Sequence, residues 1–235
     1  MDIKYKRILL KISGEVLSGK NPHGYDFDIV TEICKAVKTI HDMGVEVGIV
    51  VGGGNFWRGR SSGEMNRLRA DYMGMLATVM NAICLEDVFE QLGVPAIAYS
   101  AIPMEILAET YVASKADKAL KEGNVAIFGC GTSNPFFTTD SAAALRAAEI
   151  GADILFKATN VDGVFDKDPN KFDDAVKFDV LTQSDILSKN LKVMDSTAAA
   201  LCKDNNIPIL VFNLDDPENI IRAVKGENVG TIVKE

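Results

Sequence analysis

Val45-Glu46-Val47-Gly48-Ile49-Val50-Val51-Gly52-Gly53-Gly54-Asn55 is the stretch on which the fold of this chain turns. Its β-branched run up to Val51 reads as a strand buried on both faces, and the glycines behind it mark a turn at the strand's carboxyl end. The same pattern recurs at Arg7–Ile12 and over residues 94–99, 125–128, 153–157 and 207–212. Helical periodicity fills the intervals between these runs. Doubly buried strands alternating with helices make a βαβ chain, and therefore an α/β fold: a three-layer αβα sandwich around a mainly parallel sheet.

Between the first two runs, Ile29, Ile33, Val37 and Ile40 recur at helical spacing, with Asp28 placed to cap the start and Gly44 to end the helix. A second helix is expected from about residue 71 to 92, stopped by Gly93. Leu76, Val79, Met80 and Ile83 would form one face of it, and Met73, Met75 and Met80 would fill the core. The sequence further predicts an Ala-rich helix over 140–150, a capping box at Thr182 and Asp185, a helix over 195–205 and a first-turn proline at Pro217. The polar stretch 160–179 reads either as a lobe beside a ligand or as a surface loop. Neither a repeat nor a Pro/Gly/Ser linker divides the chain.

With 235 residues, 47% of them hydrophobic, there is enough chain for one large domain of at most two compact lobes. A net charge of −8 argues against a nucleic-acid backbone or an acidic membrane surface as partner, since both reward clustered Lys and Arg. A pocket for a small anion is still possible, because it needs only a few local cations. Cys34, Cys84, Cys130 and Cys202 are scattered, so buried free thiols are expected in place of a zinc site or a disulfide framework. The first residues lack the apolar core of a signal peptide, and no apolar stretch approaches the ~20 residues of a bilayer span. A cytoplasmic location is the expectation. His41 is expected on the surface near the end of its helix.

Four segments could handle phosphate. Gly14-Glu15-Val16-Leu17-Ser18-Gly19-Lys20-Asn21 nearly spells a P-loop, but that motif needs Ser or Thr after the lysine and a helix starting there, whereas Asn21 and Pro22 follow Lys20. It is read as a decoy. Gly52-Gly53-Gly54 would let backbone N–H groups approach phosphate oxygens, or would only make a tight turn. Lys11, at the end of the first strand and followed by Ser13-Gly14, would project at the carboxyl edge of the sheet, where open α/β folds bind ligands. The most informative segment is Gly131-Thr132-Ser133-Asn134-Pro135-Phe136-Phe137-Thr138-Thr139-Asp140. It joins a buried strand to a helix, so Thr138 and Thr139 sit where free N–H groups and the helix dipole favour an anion. Phe136 and Phe137 would line a base pocket or anchor the loop. Asp140 is a dipole-favoured carboxylate or the partner that fixes a catalytic lysine.

Taken together, Lys11-Ile12-Ser13-Gly14, Gly52-Gly53-Gly54-Asn55, Asp71-Tyr72-Met73-Gly74-Met75, Asn134-Pro135-Phe136-Phe137-Thr138-Thr139-Asp140 and Lys157-Ala158-Thr159-Asn160-Val161-Asp162-Gly163-Val164-Phe165 resemble the bacterial uridylate kinases of the amino-acid-kinase family. The resemblance runs through the whole chain in order, and the Asn-Pro-Phe-Phe-Thr-Thr-Asp run is its most specific part. It implies a single domain over 1–235, with an acceptor-side lobe over about 1–150 and a nucleotide-side lobe over about 151–235. It also implies transfer of the γ-phosphoryl group of ATP to UMP in pyrimidine nucleotide biosynthesis.

By the same resemblance, Lys11, Ile12, Ser13, Gly14, Gly54 and Arg58 engage the ATP phosphates, and Lys11, Arg58 and Asp140 form the catalytic set, with Asp140 orienting Lys11. Thr159, Asn160, Phe165 and Asp168 hold the adenosine half of ATP. Gly53, Asp71, Thr132, Ser133, Asn134, Pro135, Phe136, Phe137, Thr138 and Thr139 form the UMP site, with Asp71 on the ribose. Mg²⁺ held mainly by phosphates, a homohexamer, UTP as inhibitor and GTP as activator complete the implication. In one place the chain departs from the pattern: the loop 19–24, tied in the family to GTP, reads Gly19-Lys20-Asn21-Pro22-His23-Gly24 and lacks the usual Gly-Phe-Gly ending. The nearest rival is an amino-acid kinase acting on a carboxylate, a carbamate or isopentenyl phosphate. A non-catalytic nucleotide- or oxyanion-binding protein on the same scaffold is the rival from another class.

Overall fold

The computed structural model describes residues 3–57, 65–169, 171–188, 191 and 193–234. In chain order these begin with β1 (Arg7–Ile12), α1 (Gly14–Ser18), α2 (Phe27–Asp42), β2 (Glu46–Val51), α3 (Arg67–Gln91), β3 (Ala96–Ser100) and β4 (Glu109–Thr110). Next come α4 (Ala113–Lys121), β5 (Val125–Gly129), α5 (Thr139–Glu149), β6 (Ile154–Thr159), β7 (Val164–Phe165) and β8 (Lys177–Phe178). The chain ends with β9 (Val180–Leu181), α6 (Gln183–Ser188), α7 (Ser196–Asp204), β10 (Ile209–Asn213), α8 (Glu218–Val224) and β11 (Gly230–Val233).

Nine strands form one sheet in the order β4-β3-β5-β2-β1-β6-β10-β11-β9, parallel throughout except where β11 pairs antiparallel with β10. β1 lies at the centre, and its side chains alternate between two cores. Ile8, Leu10 and Ile12 pack with α2, α3 and α8, whereas Leu9 packs with α4, α5 and α7. The αβα expectation holds, and the six predicted strands are all present with ends shifted by a few residues. The polar stretch 160–179 carries a small antiparallel ribbon, β7 with β8, so it is more than a bare loop.

Some local expectations need correction. Asp26, not Asp28, caps α2, accepting the N–H groups of Asp28 and Ile29 at 3.2 and 3.4 Å. α3 begins at Arg67, not near residue 71, because Asn66 caps it through the N–H groups of Leu68 and Arg69. Leu76 and Met80, expected on the core face, are 51% and 49% exposed, and Met73 also faces outward. Val79 and Met75 are buried as expected, but Ala77, Ala82, Leu85 and Phe89 join them in place of Leu76 and Met80. The reason is a helix apolar nearly all round, on which periodicity selects no face and small residues win the close approach. A Cβ on Gly129 would stand only 3.2 Å from the Val79 Cα. α3 is also the one helix among those described with the length and composition of a bilayer span, at 25 residues, and half of its most apolar window is buried. His41 is no free surface residue: its Nε2 stands 2.7 Å from the Gly123 carbonyl oxygen and ties the end of α2 to the turn after α4.

Under the turn after β2 lies a pair of buried amides. Asn55 Nδ2 donates to Asn81 Oδ1 at 3.0 Å, and Asn81 Nδ2 donates to Asn55 Oδ1 at 2.8 Å and to the Gly52 carbonyl at 2.6 Å. Asn55 Nδ2 also reaches the Gly24 carbonyl at 3.0 Å. The pair joins α3 to the glycine turn and to the loop 19–24. Replacing one amide orphans the other at full burial, so Asn81→Leu is expected to lower stability by about 2 kcal/mol. Thermal denaturation checks this, and an unchanged midpoint would show that the pair holds nothing.

Candidate functional site

Alternation along two central strands creates the site. Leu9 and Leu155 face the α5 and α7 core, so Lys11 and Lys157, two residues further on, point to that side as well. Parallel pairing sets them opposite each other, Lys11 against Lys157. Two ammonium groups side by side near the carboxyl edge need a counter-ion, and Asp140 in the first turn of α5 supplies it. Its Oδ1 stands 3.0 Å from Lys11 Nζ, and its Oδ2 accepts from Lys157 Nζ. The three side chains are only 12–15% exposed. Burial opposes the Asp140 charge, but Lys11 and Lys157 outweigh it and hold the carboxyl below its usual range. Burial pulls Lys157 below the ordinary lysine value even with Asp140 working against it.

Beside this centre lies a cleft of about 160 Å³ lined by Gly53, Asp71, Thr132, Asn134, Phe137, Thr138 and Thr139, which brings together most of the residues assigned to UMP. Asp71 receives Arg67 Nε on both carboxylate oxygens, at 2.8 and 2.9 Å, and the N–H of Phe136 at 2.8 Å. Phe136 and Phe137 are largely exposed, so neither anchors the loop in the core; the Phe136 ring stands over the Arg67 guanidinium, 5.7 Å away. Ser133 and Pro135 lie in the same loop, and Ser133 takes a positive φ of 65°. The anion expectation at the start of α5 needs amendment. Thr138 Oγ1 takes the N–H groups of Asp140 and Ser141 at 3.1 and 3.2 Å, so these donors are satisfied from within.

The residues assigned to ATP divide between two cavities. One, of about 500 Å³, is lined by Thr159, Phe165 and Asp168; the other, of about 920 Å³, by Lys11, Ser13 and Asn160. Lys157 and Thr159 line both, so the two cavities meet at Lys157, beside Lys11. Ile12 offers only its backbone, because its side chain is buried on the opposite face of the sheet. Gly14 and the glycine turn touch: a Cβ on Gly14 would lie 2.5 Å from the Gly52 oxygen and 2.7 Å from the Gly54 nitrogen. Arg58 lies outside the described residues. The P-loop decoy is borne out as one, since no helix starts at Lys20 and α2 begins only at Phe27.

Three residues went unassigned in the sequence. Lys157 was quoted only inside a motif, although a lysine within Ile154-Leu155-Phe156-Lys157-Ala158 is out of place in a buried run unless it is paired. Asp195 caps α7 through the N–H of Ala198, accepts from Thr138 Oγ1, and accepts Ser141 Oγ at 3.0 Å, so it stitches the starts of α5 and α7 together. Arg67 engages Asp71 one helical turn away. The last two had no sequence signal beyond ordinary capping and i,i+4 spacing.

A model of the amino acid kinase family matches residues 6–213. The crystal structure of UMP kinase from Bacillus anthracis aligns with a TM-score of 0.95 at 36% identity, covering 98% of this chain and 96% of that one. UMP kinase from Ureaplasma parvum aligns at 0.94 and 41% identity, over 99% of this chain and 100% of that one. Uridylate kinase from Archaeoglobus fulgidus aligns at 0.74 and 32% identity, over 96% and 99%.

Proposed function

The chain belongs to the amino acid kinase family, and from that premise we propose that it transfers the γ-phosphoryl group of ATP to UMP, giving UDP and ADP. The observation that carries this reading is the continuity of Thr138, Thr139 and Asp140. The first two line the cleft assigned to UMP, and the third pairs with Lys11 and Lys157. The acceptor and the charge that meets the moving phosphoryl group are therefore neighbours along one peptide.

Phosphoryl transfer through a loose transition state calls for positioning and charge neutralisation more than for covalent help. Lys11 and Lys157 supply the positive charge as negative charge spreads over the γ-phosphoryl oxygens. Asp140 holds both ammonium groups in place. Backbone N–H groups of Ser13-Gly14 and Gly52-Gly53-Gly54, with Arg58, complete the phosphate contacts. Thr159, Asn160, Phe165 and Asp168 take the adenosine half of ATP, while Asp71 and the loop from Thr132 to Thr139 take UMP. The attacking oxygen belongs to a phosphate already ionised near neutral pH, so the mechanism assigns no general base. Mg²⁺ would ride mainly on the ATP phosphates, with water completing its shell, since the Asp140 oxygens already face the two lysines. Held there, it would supply further neutralisation of phosphate charge.

An ADP-release assay with ATP and Mg²⁺ against UMP, CMP, dUMP, carbamate, N-acetylglutamate and aspartate tests the reading. Turnover confined to UMP is expected. Turnover with a carboxylate or carbamate would keep the family and sink the UMP assignment.

Self-assembly, with the hexamer as its end point, belongs to the same proposal. Leu68, Tyr72, Leu76 and Met80 recur every fourth residue along α3, all exposed, and a continuous apolar stripe of this kind on a folded chain calls for a partner. A second copy is the partner proposed. Leu76→Glu is expected to shift the protein to a smaller species in sedimentation velocity, and an unchanged assembly would remove α3 from the interface. A cytoplasmic location and inhibition by UTP go with this reading. GTP activation is set apart from it by the altered loop 19–24.

A further inference from the structure

Arg146 on α5 is a charged side chain only 4% exposed, away from the lysine pair. A guanidinium at that depth must be paired, since an uncompensated buried charge is strongly disfavoured. Its Nη1 donates to Glu149, and its plane lies over the Tyr111 ring with Cζ 3.9 Å from the centroid. Tyr111 in turn donates its hydroxyl to Glu149 at 2.6 Å. Ring and carboxylate thus fix the guanidinium, which leaves Nη2 to act on something else. Nη2 donates to the Gly131 carbonyl at 3.0 Å.

Gly131 opens the loop that lines the UMP cleft, and that loop is under backbone strain. Cys130, Ser133 and Phe136 all have positive φ, at 60°, 65° and 70°, and Gly131 itself has 58°. Residues with a Cβ avoid this region unless the surroundings impose it. Two of the impositions come from α3: Thr78 Oγ1 accepts the Cys130 N–H at 2.8 Å, and Asp71 accepts the Phe136 N–H. The third, on the α5 side, is Arg146.

We infer that Arg146 is a positioning residue for the nucleoside monophosphate, fixing the Gly131 carbonyl and through it the acceptor loop, from a base built by Tyr111 and Glu149. The inference rests on the UMP reading of the cleft. A lysine in its place keeps the charge but loses the planar fork that stacks on a ring and donates in two directions at once. The consequence is selective: the loop lines the UMP cleft, whereas the two ATP-side cavities are lined by other segments.

The test is steady-state kinetics of the full-length wild type and Arg146→Lys with each substrate varied in turn, together with thermal denaturation. For the variant, KM for UMP is expected to rise about tenfold, the loss of one charged hydrogen bond, with KM for ATP within about twofold of wild type. A KM for UMP that stays put, or the two KM values rising together, overturns the inference. If Arg146→Lys does not fold, Tyr111→Leu, which removes the stacking face and leaves the arginine, is measured instead, with the same split expected and the same overturning result. A wild type inert toward UMP but active on another acceptor fails the underlying reading, and this is seen before any variant is made.

Discussion

Asp140→Asn is expected to lower kcat by at least about a hundredfold in a protein that still folds, since it disables charge stabilisation at the moving phosphoryl group. Asparagine keeps the shape but removes the carboxylate that pairs with both the Lys11 and Lys157 ammonium groups, leaving only the weaker pull of Asp195 on Lys157. Lys157 is already pulled below the ordinary lysine value by burial, and Asp140 is the main force holding it up. Without the carboxylate, Lys157 loses its proton more readily. Residual activity should therefore fall as pH rises, with an alkaline limb at lower pH than in wild type. Stability gives an independent readout. Asp140 has a folded-state pKa below its unfolded value of about 3.9, so its contribution is fully present above that pH and is lost as pH falls through the folded value. The variant should be less stable by about 3 kcal/mol near neutral pH, and the two proteins should converge in acid. A kcat within a few-fold of wild type, or an unmoved alkaline limb, would remove Asp140 from the centre.

The sheet could be read from the sequence because its strands are buried on both faces and so spell continuous apolar runs. Val45 through Val51 could be little else once the glycines behind it were seen. α3 was harder. Leu76, Met80 and Met73 look like core in a sequence, and nothing in the chain alone says that Ala77 and Ala82 take their place beside Val79, whose backbone comes close to Gly129. In a sequence, apolar residues left exposed read the same as apolar residues in a core.

In the candidate site, the loop 131–139 and Lys11 could be found because strand-end and strand-to-helix positions are where α/β folds place ligands. Lys157 escaped assignment because its meaning lies in its neighbour: it matters through the parallel register that sets it beside Lys11, and register is a property of two strands. Arg146 and Asp195 escaped for a related reason. Arg146 reads as an ordinary helix residue until Tyr111 and Gly131 arrive from other elements, and Asp195 as an ordinary cap until Thr138 and Ser141 reach it. Contacts that bring distant segments together leave little trace in any one of them.

The lysine pair itself yields a prediction that distinguishes a shared charge from two separate ones. Lys11→Ala should lower kcat by at least about tenfold, roughly 1.4 kcal/mol of transition-state stabilisation, and the fold should survive because Asp140 keeps Lys157. Lys157→Met should do the same, with Asp140 keeping Lys11. If both ammonium groups serve one developing charge and are held by one carboxylate, the second loss finds part of the work already undone, and the double variant must fall short of the product of the single effects. Rate constants for the wild type, the two single variants and the double variant close the cycle. Wild-type turnover in Lys11→Ala would overturn the mechanism outright. Effects that simply multiply, to within about 0.5 kcal/mol, would mean that the lysines act independently and that their shared partner in Asp140 serves the fold and not the reaction.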